Sequence, residues 1–302
     1  MMVQSVPTRV LKKSAMPNSK TSRSINTGGI RPKDGDNEVP CDEKSFFESF
    51  YESTIEGSPS DRDTIGGSVT EPESRYHYNA VENAIILAMT RINPLPPPMA
   101  IRAWTQMTKN ANRRLLDIGS GTGHWIDFFV DTYFVSEAVA VEITENMSAH
   151  LKDKYFAPDN VLVLNEDVAS NVFTAELIGG KVDYITAIGV MFHITDDKRW
   201  EQAISNLSAV LNEGGIIFIG GEFGEKTQNV HFNNVDNFTD WRDFRSAEGT
   251  SGEVRVNKRV RSLDLWIEKT QHCDLKVVDL VRIYKDPSIA MPENDLLVLM
   301  KS

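Results

Sequence analysis

The chain is poor in cysteine and in long apolar runs, and both shortages limit the kinds of protein it can be. Cys41 and Cys273 are its two cysteines in 302 residues, too few for a disulfide framework and not spaced as zinc ligands. The longest apolar run, at residues 84–89, is far shorter than the roughly 20 residues that cross a bilayer. No His-Glu-x-x-His motif or acidic cage is present. We therefore expect a cytoplasmic protein without a membrane span or a metal.

Basic residues are scarce outside the N-terminus. Residues 1–33 contain seven of the 32 basic residues and none of the 43 acidic ones. The remaining acidic body repels a phosphate backbone, so we expect no nucleic-acid partner. Residues 1–42 are rich in Ser, Pro, Gly, Asn and Lys and are predicted to be a disordered tail. An organellar transit peptide is the alternative for this basic segment, although an amphipathic helical pattern is missing.

Two helices are predicted before the core of the protein. Aromatic residues at helical spacing indicate the first helix at residues 43–53. Apolar residues on one face indicate the second at 75–92, which the prolines of 94–98 end. We expect residues 43–110 to form a helical cap on a single domain that runs over 43–302.

Strand-like and helix-like segments alternate from residue 111 onward. Strands are predicted at 114–118, 138–143, 161–165, 182–188, 215–220, 275–284 and 295–301. Helices are predicted at 124–133, 146–155, 172–178, 197–211 and 262–272. This alternation predicts an α/β fold with a doubly wound, mostly parallel sheet. The last two strands have no helix between them, so as neighbours they must be antiparallel.

A glycine-rich turn follows the first of these strands. The strand Leu115–Ile118 runs directly into Gly119-Ser120-Gly121-Thr122-Gly123. The glycines let the backbone turn sharply and expose N–H groups to a ligand, and the helix that starts near His124 adds its positive end. Ligands of such sheets bind beyond the carboxyl ends of the strands, where the strand order reverses. The pattern predicts a nucleotide site.

Two carboxylates follow the next two strands. Glu142 ends the second strand, where it can accept both hydroxyl protons of a ribose; the alternative is a solvated acid at a strand end. Asp167 follows the third strand, where it can accept a hydrogen bond from an adenine amino group, with Val168 against the ring. A simple helix N-cap is the alternative for Asp167.

With these motifs the chain resembles the class I S-adenosylmethionine-dependent methyltransferases over residues 110–302. Residues 115–123 resemble the first motif of that family, 182–189 its fourth-strand motif, and 211–215 its turn before strand five. A reversed last strand marks the family as well. One departure is Asn212-Glu213, where many members have a proline, and it affects only a turn.

The resemblance implies a seven-stranded sheet and S-adenosyl-L-methionine as cofactor. In that family the glycine loop and Asp117 hold the methionine portion, Glu142 the ribose and Asp167 the adenine. Tyr76, Tyr78 and Arg75 could close over the cofactor, although core packing is an equal alternative for Tyr78. The cofactor-binding residues assigned on this basis are Asp117, Gly119, Ser120, Gly121, Gly123, Glu142, Ile143, Asp167, Val168, Ile188 and Tyr78.

His193 is the candidate catalytic residue. It follows the fourth strand, where the activated methyl group should point, and an imidazole with a pKa near 6.5 suits removal of a proton from an alcohol or phenol. The alternative is an imidazole that is merely hydrogen-bonded beneath the loop. The long segment 222–261 mixes aromatic and cationic residues and is predicted to be a lid over a polar or anionic acceptor.

The sequence thus predicts a methyltransferase that acts on oxygen or nitrogen of a small molecule. A catalytically inactive scaffold with the same fold is one alternative. A nicotinamide-dependent oxidoreductase is another, but its fingerprint needs a glycine where His124 stands. The oligomeric state stays open.

Overall fold

The computed structural model describes residues 37–40, 42–54, 59–61, 70–92, 112–156, 160–232, 253–283 and 295–302. In chain order its elements are β1 (Asn37–Pro40), α1 (Glu43–Thr54), α2 (Glu71–Ile92), β2 (Arg114–Ile118), α3 (His124–Tyr133), β3 (Glu137–Glu142), α4 (Glu145–Lys154), β4 (Val161–Asn165), β5 (Val182–Ile188), α5 (Asp197–Val210), β6 (Leu211–Gly221), β7 (Gln228–Phe232), β8 (Glu253–Val260), α6 (Leu263–Gln271), β9 (Leu275–Val281) and β10 (Asp295–Lys301). No helix within these ranges is long and apolar enough to cross a membrane.

Seven strands form the central sheet, in the order β4-β3-β2-β5-β6-β10-β9. Six of them run parallel to one another, and β10 lies antiparallel between β6 and β9. The doubly wound sheet with an antiparallel last strand is therefore confirmed. The strand order reverses between β2 and β5, which places a crevice at the carboxyl ends of these two strands.

Apolar side chains cover both faces of this sheet. On one face, α2 and α3 contribute Ile85, Ile126 and Phe129 to a continuous core. On the other face, α5 and α6 contribute Trp200 and Trp266, whose ring centroids lie 4.7 Å apart in an edge-to-face contact. Because helices bury both faces, the strands need apolar side chains in both directions, as the sequence shows.

A second, three-stranded sheet has the order β1-β8-β7. β1 pairs with β8 in parallel, and β7 pairs with β8 antiparallel. The prediction of a tail over residues 1–42 is wrong at 37–40, because these residues form β1; residues 1–36 lie outside the described part of the chain. The lid was predicted over residues 222–261. The two ends of this segment contain β7 and β8, and residues 233–252 between them lie outside the described part of the chain.

The helix predicted at 172–178 is absent, and the segment consists of separate turns. Here Ser170 Oγ accepts a hydrogen bond from the Val172 N–H (3.3 Å), and Thr174 Oγ1 accepts one from the Leu177 N–H (3.4 Å). Such side-chain acceptors offer the backbone an alternative to helical hydrogen bonds. The sequence-based prediction considered apolar spacing and overlooked this competition.

Two element boundaries differ from the prediction for identifiable reasons. α2 begins four residues earlier, because Thr70 and Glu73 form a capping box in which each side chain accepts the backbone N–H of the other residue. β6 begins at Leu211, and the turn predicted at 211–215 is an irregularity inside the strand, with Gly214 at a φ of +72°.

Two arginines at the end of β8 attach the second sheet to α5 and to the loop after β5. Arg259 donates to both carboxylate oxygens of Asp197 at 2.8 Å. Arg261 is 1% exposed; it donates to Asp197 and to the Ile194 carbonyl, and its guanidinium lies 4.3 Å from the ring centroid of Trp200. Burial lowers the pKa of Arg261 to about 10, so it remains charged at neutral pH.

Replacing Arg261 by Met should lower the free energy of unfolding by about 2 to 4 kcal/mol, because the Ile194 carbonyl loses its donor and Asp197 loses one of its two cations. Arg282→Met is the control, since Arg282 is 60% exposed in its pair with Asp295 and should lose less than about 1 kcal/mol. Urea unfolding measures both. Equal losses would contradict the structural role assigned to Arg261.

Candidate functional site

A cavity of about 190 Å³ lies at the crevice between β2 and β5. The strand ends of the central sheet form its floor, and side chains of α1 and α2 contribute to its walls. Ten of the twelve predicted site residues line this cavity: Tyr78, Gly119, Ser120, Gly121, Glu142, Ile143, Asp167, Val168, Ile188 and His193. Asp117 and Gly123 are not among the residues that line it.

The glycine loop leaves no space for side chains at two of its positions. Gly119 and Gly123 have φ angles of +65° and +84°. A Cβ at Gly119 would lie 2.4 Å from Cγ2 of Val190, and one at Gly123 would lie 2.3 Å from the hydroxyl of Tyr155. Gly123 is followed directly by α3, which has no side-chain cap. The first N–H groups of α3 therefore lack a side-chain acceptor at the edge of the site.

Glu142 ties β3 to the glycine loop. Its carboxylate is 4% exposed, and one oxygen accepts the Gly121 N–H at 3.1 Å. The other oxygen accepts the Ile143 N–H at 3.0 Å and the Thr144 hydroxyl at 3.2 Å. Burial raises the pKa of Glu142 above its ordinary value, although these hydrogen bonds oppose the rise. The oxygen that accepts only the Gly121 N–H can accept a further hydrogen bond.

Asp167 is engaged in two interactions. One oxygen accepts the Ala169 N–H at 2.8 Å, which is a local cap on a turn and partly realises the alternative considered for this residue. The other oxygen accepts a hydrogen bond from Arg199 at 2.7 Å. Arg199 also forms an ion pair with Glu43 of α1. A contact of Asp167 with adenine stays a prediction.

Asp117 is fully buried in β2. One oxygen accepts the hydroxyl of Thr186 at 2.6 Å, and the other has no hydrogen-bond partner among the described residues. Burial raises the pKa of Asp117 to about 7. A carboxyl group in this state is close to half protonated at neutral pH.

His193 lies on the cavity wall between two aromatic rings. Its ring centroid is 4.8 Å from that of Phe47 and 4.5 Å from that of Phe192. Its backbone N–H donates to the Val190 carbonyl at 2.8 Å, which closes the turn after β5. The position next to the cavity agrees with the expected placement, and the role as a base stays a prediction.

A cluster around His124 was not predicted as part of the site. The two ring nitrogens of His124 lie 2.9 Å from Asp61 Oδ2 and 2.8 Å from Glu82 Oε1, and its ring centroid is 4.0 Å from that of Tyr78. Burial lowers the pKa of His124, but the two carboxylates outweigh it and the net shift is upward. Asp61 also accepts a hydrogen bond from Thr122 in the glycine loop. This cluster connects the loop to α2.

Other residues of the cavity come from elements remote in sequence. α1 presents Glu43, Phe47 and Tyr51, and β8 presents Lys258. The spacing of four residues within α1 is a signal that they share one face, but nothing in the sequence indicates that this face covers the site. Lys258 lies within the segment 222–261 that was predicted to be a lid, but the sequence did not single it out from the other cations of that segment. Within the described ranges, no group of three or more His, Cys, Asp or Glu residues could hold a metal ion.

The family model described as a methyltransferase domain matches residues 97–270, more than half of the chain. The chain belongs to this family, which confirms the resemblance to class I S-adenosylmethionine-dependent methyltransferases and, with it, S-adenosyl-L-methionine as the cofactor. The comparison with curated proteins finds no match.

Solved structures share the fold at low sequence identity. An S-adenosylmethionine-dependent methyltransferase from Leishmania major is 13% identical, with a TM-score of 0.55 over 85% of this chain and 82% of that one. The N-methyltransferase NodS from Bradyrhizobium japonicum WM9, in complex with S-adenosylhomocysteine, is 12% identical, with a TM-score of 0.50 over 84% and 97%. At these identities the likeness concerns the fold.

The raised pKa of Asp117 makes stability depend on pH. The folded protein retains the proton up to about pH 7, whereas the unfolded chain releases it near pH 3.8. The stability contributed by this proton is therefore complete below about pH 4 and is lost as the pH rises to 7. Asp117→Asn removes the titration and should gain stability relative to the wild type between these limits, by up to about 1.4 kcal/mol per pH unit. Urea unfolding at pH 5 and pH 8 measures the gain; the same difference at both values would contradict it.

Proposed function

We propose that this methyltransferase acts on an oxygen or nitrogen nucleophile of a small molecule. The observation that carries the proposal is a cavity at the topological switch point whose lining includes both a buried carboxylate, Glu142, and an imidazole, His193. The carboxylate suits an adenosyl group, and the imidazole suits proton removal from an acceptor.

The residues around the glycine loop, Glu142 and Asp167 fit the cofactor. Gly119 has no room for a Cβ and carries none, so a ligand can approach the bare backbone of the loop closely. Glu142 keeps hydrogen-bonding capacity for a ribose hydroxyl, and Asp167 with Val168 offers an acid and an apolar surface for adenine. The remaining cavity residues assigned to the cofactor are Ser120 and Gly121 for the methionine portion, and Ile143, Ile188 and Tyr78 for apolar contacts. Asp117 and Gly123 do not line the cavity, so their assignment to the methionine portion rests on the resemblance to the family alone.

When bound, the cofactor would supply an electrophilic methyl group to the acceptor, with its own sulfur as the leaving group. The protein's part is to hold the acceptor atom close to that carbon and to exclude water. Phe47, Tyr51 and Tyr78 line the cavity from the helical cap and keep solvent away from the nucleophile. An acceptor hydroxyl or protonated amine must also lose a proton, and His193 is the group that we assign to accept it.

One structural relative supports nitrogen as a methyl acceptor, and the cavity itself supports an acceptor of modest size. NodS is an N-methyltransferase by its description and shares the fold at a TM-score of 0.50. The cavity volume of about 190 Å³ and its cover of helices also favour a small molecule over a macromolecule.

Gly119→Ala should weaken S-adenosylhomocysteine binding at least tenfold, because the new Cβ would lie 2.4 Å from Val190 and push it or the loop out of place. Gly214→Ala is the matched control: Gly214 has a similar positive φ of +72°, but a Cβ there meets nothing within 4 Å. Both variants share the backbone strain of roughly 1 kcal/mol. Calorimetry measures the affinities for S-adenosylhomocysteine and for NAD. Wild-type affinity for S-adenosylhomocysteine in Gly119→Ala would refute the assignment of the glycine loop to the cofactor. Tight binding of NAD would refute the assignment of S-adenosylmethionine as the cofactor.

His193→Ala should lower the turnover number about 100-fold or more, the usual contribution of a general base, and leave S-adenosylhomocysteine affinity within twofold of the wild type. His272→Ala, an exposed position directly after α6, is the control. The assay follows S-adenosylhomocysteine release with a fractionated metabolite extract as acceptor source, and mass spectrometry identifies the product that gains one methyl group. Undiminished turnover would remove His193 from the mechanism, and cofactor binding without any methylated product would favour a scaffold.

A further inference from the structure

Two side chains at the carboxyl end of α4 are hydrogen-bonded to the backbone of the glycine loop. The ammonium of Lys154 donates to the Thr122 carbonyl at 2.7 Å. The phenol of Tyr155, the C-cap residue of α4, donates to the Gly123 carbonyl at 3.0 Å. These two carbonyls lie directly before α3, which begins at His124. Side chains from one helix end therefore hold two successive carbonyls of the loop.

Asp127, in the first turn of α3, keeps both of these side chains in place. One of its oxygens accepts the Lys154 ammonium at 2.6 Å, and the other accepts the Tyr155 phenol at 2.8 Å. The single phenol proton is thus shared between Asp127 and the Gly123 carbonyl. Burial and the hydrogen bond to Asp127 raise the pKa of Tyr155, so the phenol remains a donor at neutral pH. We refer to Lys154, Tyr155 and Asp127 as the loop clamp.

The loop clamp packs closely against the last glycine of the loop. The ring and hydroxyl of Tyr155 occupy the space that a side chain at Gly123 would need. The Gly123 carbonyl also accepts the backbone N–H of Asp127 at 3.1 Å. The contact with Tyr155 therefore requires glycine at this position in addition to the positive φ.

A carbonyl that is held in place fixes the direction of the N–H in the same peptide group. The peptide group between Gly123 and His124 is planar and trans, so its N–H points away from the carbonyl that Tyr155 holds. His124 lines the cavity, and its N–H is the first of α3, where no side chain caps the helix. The orientation of this N–H therefore affects how well the helix end can receive a negatively charged group.

The unit formed by β3 and α4 holds the loop at both kinds of backbone group. Before α4, the Glu142 carboxylate accepts the Gly121 N–H at 3.1 Å. At the end of α4, the loop clamp donates to the two carbonyls that follow in the loop. No member of the loop clamp is among the residues that line the cavity. Its influence on a ligand must therefore act through the loop backbone.

We propose that Lys154 and Tyr155 are positioning residues for the amino-acid portion of the cofactor. By holding two carbonyls, they orient the N–H groups at the junction of the glycine loop and α3 for its carboxylate. The inference rests on the proposed function, in which the glycine loop receives the methionine portion. The adenosine portion is assigned to Glu142 and Asp167, whose hydrogen bonds involve no member of the loop clamp.

Two ligands that differ in the amino-acid portion test the proposal. S-Adenosylhomocysteine contains this portion, whereas 5′-methylthioadenosine is the thioether nucleoside without it. Calorimetry measures both Kd values on the same preparation of the full chain. Tyr155→Phe and Lys154→Met should each weaken S-adenosylhomocysteine binding about threefold or more, and the double variant about tenfold or more, as expected for one to two hydrogen bonds. Binding of 5′-methylthioadenosine should stay within about twofold of the wild type, because it has no carboxylate for these N–H groups.

Matched variants separate positioning from a general loss of packing. Lys154→Arg should retain more affinity for S-adenosylhomocysteine than Lys154→Met, because a guanidinium can also donate to the Thr122 carbonyl. Tyr133→Phe removes a half-buried phenol hydroxyl at the end of α3, and Lys152→Met removes an exposed cation of α4. Both of these control variants should bind the two ligands as the wild type does.

The outcomes distinguish this inference from the proposed function. Wild-type affinity for S-adenosylhomocysteine in the double variant, or equal weakening of both ligands, would overturn the positioning role alone. Equal affinity of the wild-type protein for the two ligands would overturn it as well, because the amino-acid portion would then contribute nothing. Failure of the wild-type protein to bind S-adenosylhomocysteine would instead overturn the proposed function.

Discussion

The site depends on one buried interaction, the hydrogen bonds that the Glu142 carboxylate accepts from the backbone. A carboxylate that is nearly inaccessible to water is stable only where donors surround it. The Gly121 N–H, the Ile143 N–H and the Thr144 hydroxyl meet this requirement, and they come from two neighbouring strand ends. Satisfying the charge therefore fixes the glycine loop relative to β3, and the floor of the cavity follows from that relation.

The walls of the cavity come from three separate parts of the fold, which are the helical cap, α1 and the second sheet. The helical cap reaches it through the cluster of His124 with Asp61 and Glu82, and α1 reaches it through Glu43 and Arg199. The second sheet reaches it through Arg259 and Lys258. Each connection joins segments that lie more than 40 residues apart in the chain, so the cavity exists only in the folded domain.

The strands of the central sheet could be predicted from the sequence because the residue patterns that specify them are local. Strands buried on both faces need continuous apolar runs, and the turn after β2 needs glycine; both are visible in a short window. β1 is different, since its four residues are strand only because β8 lies beside them, more than 200 residues later. The predicted helix at 172–178 failed for a local reason, since Ser170 and Thr174 side chains compete for backbone N–H groups.

The difference between local and long-range determinants also separates the site residues that could be predicted from those that could not. Residues at or beyond the carboxyl end of a parallel strand, such as Glu142, Asp167 and His193, share one edge of the sheet by topology, and the structure places all three on the cavity. Arg199 arrives through helix packing, for which spacing along the chain gives no indication, and Lys258 belongs to the segment predicted as a lid although sheet pairing decides which of its residues reaches the cavity. Asp117 was assigned to the cofactor from the resemblance to the family, but its side chain is fully buried in a strand that is covered on both faces, and one of its oxygens accepts the Thr186 hydroxyl.

The pairing of β7 with β8 has a consequence for the divergence of this protein among its relatives. Residues 233–252 connect two strands whose register is fixed by their own hydrogen bonds and by the arginines beside them. Insertions, deletions and substitutions in a connection of this kind alter the closure entropy only slightly. The sequence of this connection can therefore change without altering the geometry of the neighbouring site. The connection is thus the part of the domain where changes in acceptor selectivity cost the least stability.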